Sequence, residues 1–278
     1  MLFAALILQA SVAAPVFAPP IDTPLRIVTE RTETASDERR YRLERLVRFN
    51  SEAGGYRVEA ILLGTTSAAP EALGNLVERG FAALEGRRIV LHVDDGGAVV
   101  AIDDMASLWE RVCQRIAEAA ATRRSLPAGE ADALAARLVA PLRALPAERQ
   151  RALLATLVTA AIMTDAGGPV GTVTPVKLPG TSPFGAPVTL EGTRRIADAG
   201  GGLTRIATLA SAEVALPARD GAPARSGSVA LERLRTFDPR TGIIIDGLDT
   251  IRNTTAERQT LLVTRLRIER AKASDWPH

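Results

Sequence analysis

The stretch Leu91–Asp104, LHVDDGGAVVAIDD, brings together His92, Asp94, Asp95, Asp103 and Asp104, side chains that could bind a metal or move a proton. A metal centre there needs His92 and Asp94, which share one face of an extended segment, and a third ligand from elsewhere. The other histidine is the terminal His278. Turn chemistry gives a simpler account. The run GRRIVLHV leads into Asp94-Asp95-Gly96-Gly97 and AVVAI leaves it, which predicts a hairpin with a two-residue loop at Asp95-Gly96. An even loop puts Ile89, Leu91 and Val93 on one face with Ala98, Val100 and Ile102, and that face is wholly apolar. Asp103 and Asp104 directly precede a helical pattern, where an aspartate caps the first turn and complements the helix dipole. The cluster therefore reads as turn and cap, with no metal site.

Other chemistry is equally sparse. The sequence holds no GxSxG elbow, HExxH, Walker loop, GxGxxG after a strand, or paired CxxC. Cys113, the single cysteine, lies at an apolar helical position in WERVCQRI and reads as a small buried hydrophobe. Asp238 and Pro239 in FDPRTGIII suit a type I turn, with Gly242 as its left-handed residue. AGGGLTR, at Ala199–Arg205, joins two strand patterns and reads as a turn. No catalytic residue and no cofactor is assigned.

The hydrophobic fraction is 46%, the charged fraction 24% and the aromatic fraction 4%. The pI is near 9.1, yet net charge is only +2. Lys177 and Lys272 are the only lysines among 34 basic residues, and the arginines alternate with acids instead of forming a basic block. That pattern, with few aromatics to stack on bases, argues against nucleic-acid binding.

The chain opens MLFAALILQASVAAPVFAPP. The apolar run Leu2–Leu8 followed by Ser11-Val12-Ala13 is the pattern of a secretory signal peptide over residues 1–13, although no Lys or Arg precedes the run. The expected location is the periplasm or the exterior, with no transmembrane span in the mature chain. Residues 14–24 read as a proline-rich leader, residues 25–270 as one β-rich domain, and residues 271–278 as a frayed tail.

The elements that would position any site follow from periodicity. Leu25–Thr34, RYRLERLVRF and YRVEAILLG alternate with period two, so they read as antiparallel strands with one wet side. In the second of these, Tyr41, Leu43, Val47 and Phe49 fall on one face. MASLWERVCQRIAEAA, Glu130–Leu142 and AERQRALLATLVTAAIM carry helical spacing, broken at Pro146, which places a helical insertion at 104–164. Ala152–Met163 has no charge and reads as apolar all round. After a loop with a short strand at Val173–Leu178, five more strand patterns close the chain.

The hairpin has the form L-x-G-x-x-I-x-L-x-V-D-x-x-G-x-V over Leu84–Val99, and F-D-P-x-T-G-I-I occurs over Phe237–Ile244. With three central helices between strand sets, the chain resembles an uncharacterised family of exported bacterial β-rich proteins. That resemblance covers about Leu25–Glu269 and implies no catalytic residues. The architecture is also similar to the lipoprotein-carrier group, an unclosed barrel under a helical lid.

The expected fold is α+β: a strongly curved antiparallel sheet or unclosed barrel of roughly ten strands with a three-helix insertion in mid-chain. The expected function is a non-enzymatic binding, carrier or envelope-assembly role, its partner an apolar ligand or an envelope protein. The alternatives are an envelope hydrolase with dispersed catalytic carboxylates, or a purely structural envelope partner. An apolar ligand groove would be lined by Met105, Leu108, Trp109, Val112, Ile116, Leu157 and Ile162.

Overall fold

Period-two strands with one apolar side can bury that side only against another layer, and here the mid-chain helices supply it. The computed structural model describes residues 17–35, 38–68, 80–121, 128–164, 168–216, 218 and 224–277. The expected signal segment, residues 1–13, lies outside them. The described residues form eleven strands: β1 (Leu25–Thr34), β2 (Glu38–Glu52), β3 (Gly55–Ala68), β4 (Arg88–Asp94), β5 (Val99–Ile102), β6 (Val173–Thr181), β7 (Pro187–Gly200), β8 (Leu203–Leu216), β9 (Arg225–Asp238), β10 (Ile243–Thr255) and β11 (Gln259–Arg270). Helices α1 (Met105–Ala121), α2 (Ala128–Arg143) and α3 (Ala147–Thr159) stand between β5 and β6.

All strands belong to one antiparallel sheet of order β5-β4-β3-β2-β1-β11-β10-β9-β8-β7-β6. Its two edges, β5 and β6, do not pair, so the sheet stays open. The first and last strands, β1 and β11, meet in the middle, with Ile27 opposite Ile268. The N-terminal meander thus forms one half and the C-terminal meander the other.

The face turned toward the helices carries Leu25, Ile27, Val47, Phe49, Val58, Leu91, Leu266 and Ile268, packed with Trp109, Val112, Ile116, Leu154, Leu157 and Val158 in one buried cluster. Ile196, Ile206 and Phe237 join it from the C-terminal half. Trp109 also donates its indole N–H to the carbonyl of Leu142 at 3.0 Å, which ties α1 to α2. Cys113 is fully buried in this cluster, and burial pushes its thiol pKa up. Helix α3 keeps a narrow wet face at Ala152 and Thr156, so it is not apolar on all sides.

The β4–β5 hairpin differs from the sequence expectation. Asp94 and Ala98 close the turn, the Asp94 N–H donating to the Ala98 carbonyl at 2.9 Å, so the loop holds three residues. Gly97 takes the left-handed conformation, at φ 87°. A three-residue loop of that form carries a bulge. Leu91 pairs with Ile102, not with the Val100 that a two-residue loop would set opposite it, and Val93 pairs with Val99, leaving Val100 as the extra residue, half exposed. A second bulge leaves Leu63 out of register in β3.

Both ends of the described chain are anchored. Phe17 packs edge-on against Phe49 and Tyr56, and the Tyr56 hydroxyl donates to the Phe17 carbonyl at 3.0 Å. The tail is not frayed where it is described. Trp276 is buried with Leu46 and Ile61 on the outer face, and Arg48 sits 4.5 Å over its ring.

Candidate functional site: the inner face of the open sheet

The acidic cluster resolves into turn, junction and surface pair. The Asp94 carboxylate accepts the Ala98 N–H at 2.7 Å, inside the turn. Asp104 opens α1 at φ 51°, and its carbonyl accepts the Leu108 N–H at 3.0 Å. Asp103 does not act as a side-chain cap: its carboxylate meets His92 Nε2 at 3.1 Å, while Glu52 meets Nδ1 at 2.7 Å. Carboxylates only accept, so this pair of contacts is complete only for the imidazolium. The hydrogen bond to Glu52, then that to Asp103, raises the His92 pKa. The two acids sit at opposite ring nitrogens and do not converge on a common point. Among the described residues no three His, Cys, Asp or Glu side chains gather as a metal site.

The described carboxylates with displaced pKa values all move downward. Burial alone would raise Glu59, but hydrogen bonds from Arg57 and Arg48 outweigh it. Arg143 lowers Glu110, Lys177 lowers Glu191, and Arg240 lowers Asp238, which also accepts the Arg240 N–H within its turn. That direction holds the ionised form, the opposite of what a proton-donating acid needs.

The seven residues expected to line a groove lie together, but inside packed core. Leu108, Trp109, Val112, Ile116, Leu157 and Ile162 are buried in the main cluster, and Met105 packs against its edge. Clefts on the sheet surface open elsewhere. One of about 610 Å³ is lined by Glu30, Arg31, Thr32, Arg40, Tyr41 and Arg42, with Thr66 and Arg265. Another of about 410 Å³ crosses the outer face of β7–β10 around Glu191, Leu209, Glu232 and Arg252.

Beyond the helices the inner face changes character in register. The row Ile196, Ile206, Arg235, Gly247, Leu266, Thr29, Leu43 runs from β7 to β2. One step further from the helices comes Arg194, Thr208, Arg233, Asp249, Thr264, Arg31, Tyr41. The next row is Gly192, Ala210, Leu231, Ile251, Leu262. A polar belt thus separates the helix-packed core from a second apolar cluster: Leu190, Ala210, Val229 and Leu231 are buried there, with Leu178, Val188, Ala212 and Ile251 against them. Among the described residues no helix residue belongs to this second cluster.

The belt is organised around Asp249. Arg235 pairs with it at 2.5 and 2.9 Å, and Arg233 places only its Nε on it, at 3.2 Å from Oδ2. The Arg233 side chain is 43% exposed, against 17% for both Asp249 and Arg235. Gly247 makes room for this pairing, since a Cβ there would lie 2.9 Å from Arg235 Nη1.

Arg45 belongs to the same face but to the covered end. It is almost fully buried, and it donates to the Leu157 carbonyl in α3 and to Thr29 Oγ1 at 3.1 Å. Burial pushes its pKa down to about 10. The alternation in β2 points residue 45 inward, yet its charged type hides that position from a hydrophobic pattern. The belt was missed for another reason: its residues come from strands far apart in sequence, and only register aligns them.

No family model and no curated protein matches the chain. A solved structure of lipovitellin, described under lipid–protein interactions, aligns over 91% of this chain and 25% of its own, at 6% identity and a TM-score of 0.42. The chain therefore spans about a quarter of that protein's length. No described helix is long and apolar enough to cross a membrane.

Proposed function

We propose that the protein is a non-catalytic binding or carrier protein of the cell envelope that takes an apolar or amphipathic chain on the inner face of its open sheet. The observation that carries this is the second apolar cluster around Leu190, Val229 and Leu231, which faces the same side as the helix-packed core and, among the described residues, has no helix of its own. Ligand sites are mostly apolar concavities with few placed polar groups, and an open sheet with helices over part of one face can offer one. The export pattern at the N-terminus supports a place outside the cytoplasm. A chain longer than the second cluster would run on toward α1 and α3, where Met105, Leu108, Trp109, Val112, Ile116, Leu157 and Ile162 would meet it once the helices separate from the sheet.

Titration of the purified, delipidated chain with a fluorescent sixteen-carbon acyl probe tests the reading. Saturable binding is expected, weakened by Val229→Asp and unaffected by the outer-face change Leu209→Asp. Equal loss in both variants, or no binding at all, would remove it.

A further inference from the structure

We propose that the outer face of the sheet carries a site of its own, a cleft across β2, β1 and β11 that binds the phosphate group of a small polar phosphate ester through Arg40, Arg42 and Arg265. The inference is independent of any ligand on the inner face.

The cleft follows from how long and short side chains fall in register. Strand β1 stands between β2 and β11, so Glu30 lies opposite both Arg42 and Arg265, and Thr32 lies opposite both Arg40 and Val263. On β3 the partner of Arg42 is Thr66, beyond the bulge at Leu63, and the partner of Glu44 is Gly64. These positions share the face of Leu46, which Trp276 covers further along β2. Three arginines therefore rise beside short neighbours, and they wall the cleft of about 610 Å³. An adjoining cleft of about 270 Å³ shares Glu30, Arg42 and Arg265 and continues the groove toward Arg267.

The hydrogen-bonding capacity of these groups is unevenly used. Glu30 has a guanidinium on either side, and its carboxylate goes to Arg42, at 2.7 Å. Arg265 is exposed and makes no hydrogen bond or ion pair among the described residues. Arg40 gives only Nε to Glu38, so its two terminal nitrogens carry no partner among the described residues. The same holds for the hydroxyls of Thr32 and Thr66. Arg31 and Tyr41 also line the cleft, but both have partners and neither is assigned a part. Glu30 is the single acid in the lining, and Arg42 already engages it, so the open donors face the cleft without a carboxylate that competes for them.

The arrangement of the donors selects the anion. A guanidinium is a rigid fork that binds oxyanions bidentately. Here the donors come from separate strands, with Arg42 and Arg265 about 10 Å apart at their bases, two inter-strand spacings. A carboxylate offers two coplanar oxygens and suits a single fork. A phosphate ester offers three strong acceptor oxygens in different directions and suits donors that converge from several sides. A phosphate fills a small part of the cleft, and the walls are polar, so the group attached to it is a polyol or sugar and not an acyl chain.

Calorimetric titration of the full chain with glycerol 3-phosphate at low salt tests the proposal, with glycerol as the uncharged control. Saturable binding of the phosphate and none of glycerol is expected. Arg265→Gln should weaken binding about tenfold or more, the usual effect of losing a charge-assisted bidentate contact. Arg265→Lys, which keeps the charge and removes the fork, should show much of the same loss. Arg205→Gln, at an exposed outer-face arginine of β8 away from the cleft, should bind as the parent does. Melting curves on the variants establish that each is folded. Sedimentation with phosphatidylglycerol and phosphatidylcholine vesicles separates the two sources of such a group. Binding to phosphatidylglycerol alone, lost in Arg265→Gln, supports the site and assigns the phosphate to a lipid head group. Binding of glycerol 3-phosphate without vesicle binding supports it and assigns the phosphate to a soluble ester. No binding of either, or equal losses in Arg265→Gln and Arg205→Gln, overturns the site.

Discussion

The guanidinium of Arg45 in β2 is buried against the Leu157 carbonyl of α3, with no carboxylate paired to it among the described residues. Its hydrogen bonds go to a helix carbonyl near the negative end of the α3 dipole and to Thr29, so the charge is solvated by dipoles. Replacing such a group by an apolar chain of similar length removes a desolvation cost along with the bonds. Arg45→Met is expected to change stability by no more than about 1 kcal/mol, because those two effects oppose each other. Arg45→Ala leaves a cavity in the same place and is expected to cost about 3 kcal/mol. Urea unfolding of the two variants checks the difference, and equal losses would contradict it.

Gly97 and Gly96 should respond differently to the same change. Gly97 lies at φ 87°, and a Cβ there would stand 2.7 Å from Ile162 Cγ2. Gly96 has no such φ and only the Asp94 side chain nearby. Gly97→Val is expected to cost about 2 kcal/mol or more, from strain at positive φ plus displacement of Ile162. Gly96→Val should cost less than half as much. Thermal melts on both variants decide the order.

His92 makes stability depend on pH in a defined direction. Its pKa is raised in the folded state by Glu52 and Asp103. The folded state therefore holds the proton more tightly than the unfolded chain, so the contribution is complete below the unfolded value near 6.5 and is lost as pH rises through the higher folded value. Partial exposure limits its size to about 1 kcal/mol. His92→Gln should lower the melting temperature at pH 5.5 and leave it nearly unchanged at pH 9. A larger effect at pH 9 would reverse the assignment.

The two outer-face partners of Trp276 make the C-terminal segment part of the fold. Trp276 covers Leu46 and Ile61, and Arg48 lies over its ring. Trp276→Ala is expected to cost about 3 kcal/mol, the usual range for a buried aromatic. Limited proteolysis should then remove residues beyond Arg270, which remain protected in the parent chain.

Much of this fold was readable because its elements are strongly periodic. The alternation of Tyr56, Val58, Ala60 and Leu62, the helical spacing of Leu108, Val112 and Ile116, and the left-handed Gly242 all agree with the structure. The exceptions have physical causes. Val100 and Leu63 are bulge residues, and a bulge adds one residue without changing composition. Arg45 is a charged residue at an inward position, whose burial depends on an accepting carbonyl of α3, 112 residues away. The candidate site was hidden most completely. Arg194, Thr208, Arg233 and Asp249 are adjacent only through three successive strand registers, and no local pattern in the sequence states a register between hairpins.

Where a bound chain lies on the sheet tests the central claim most directly. A sixteen-carbon fatty acid carrying a diazirine at its terminal carbon, photolysed on the delipidated protein, marks the residues its tail touches, and peptide mass spectrometry locates them. The account predicts labels on β7 and β9, at peptides containing Val188–Leu190 and Val229–Leu231, with loss of labelling in Val229→Asp. Labels confined to the outer face at Leu209 and Glu232, or no saturable labelling at all, would contradict it.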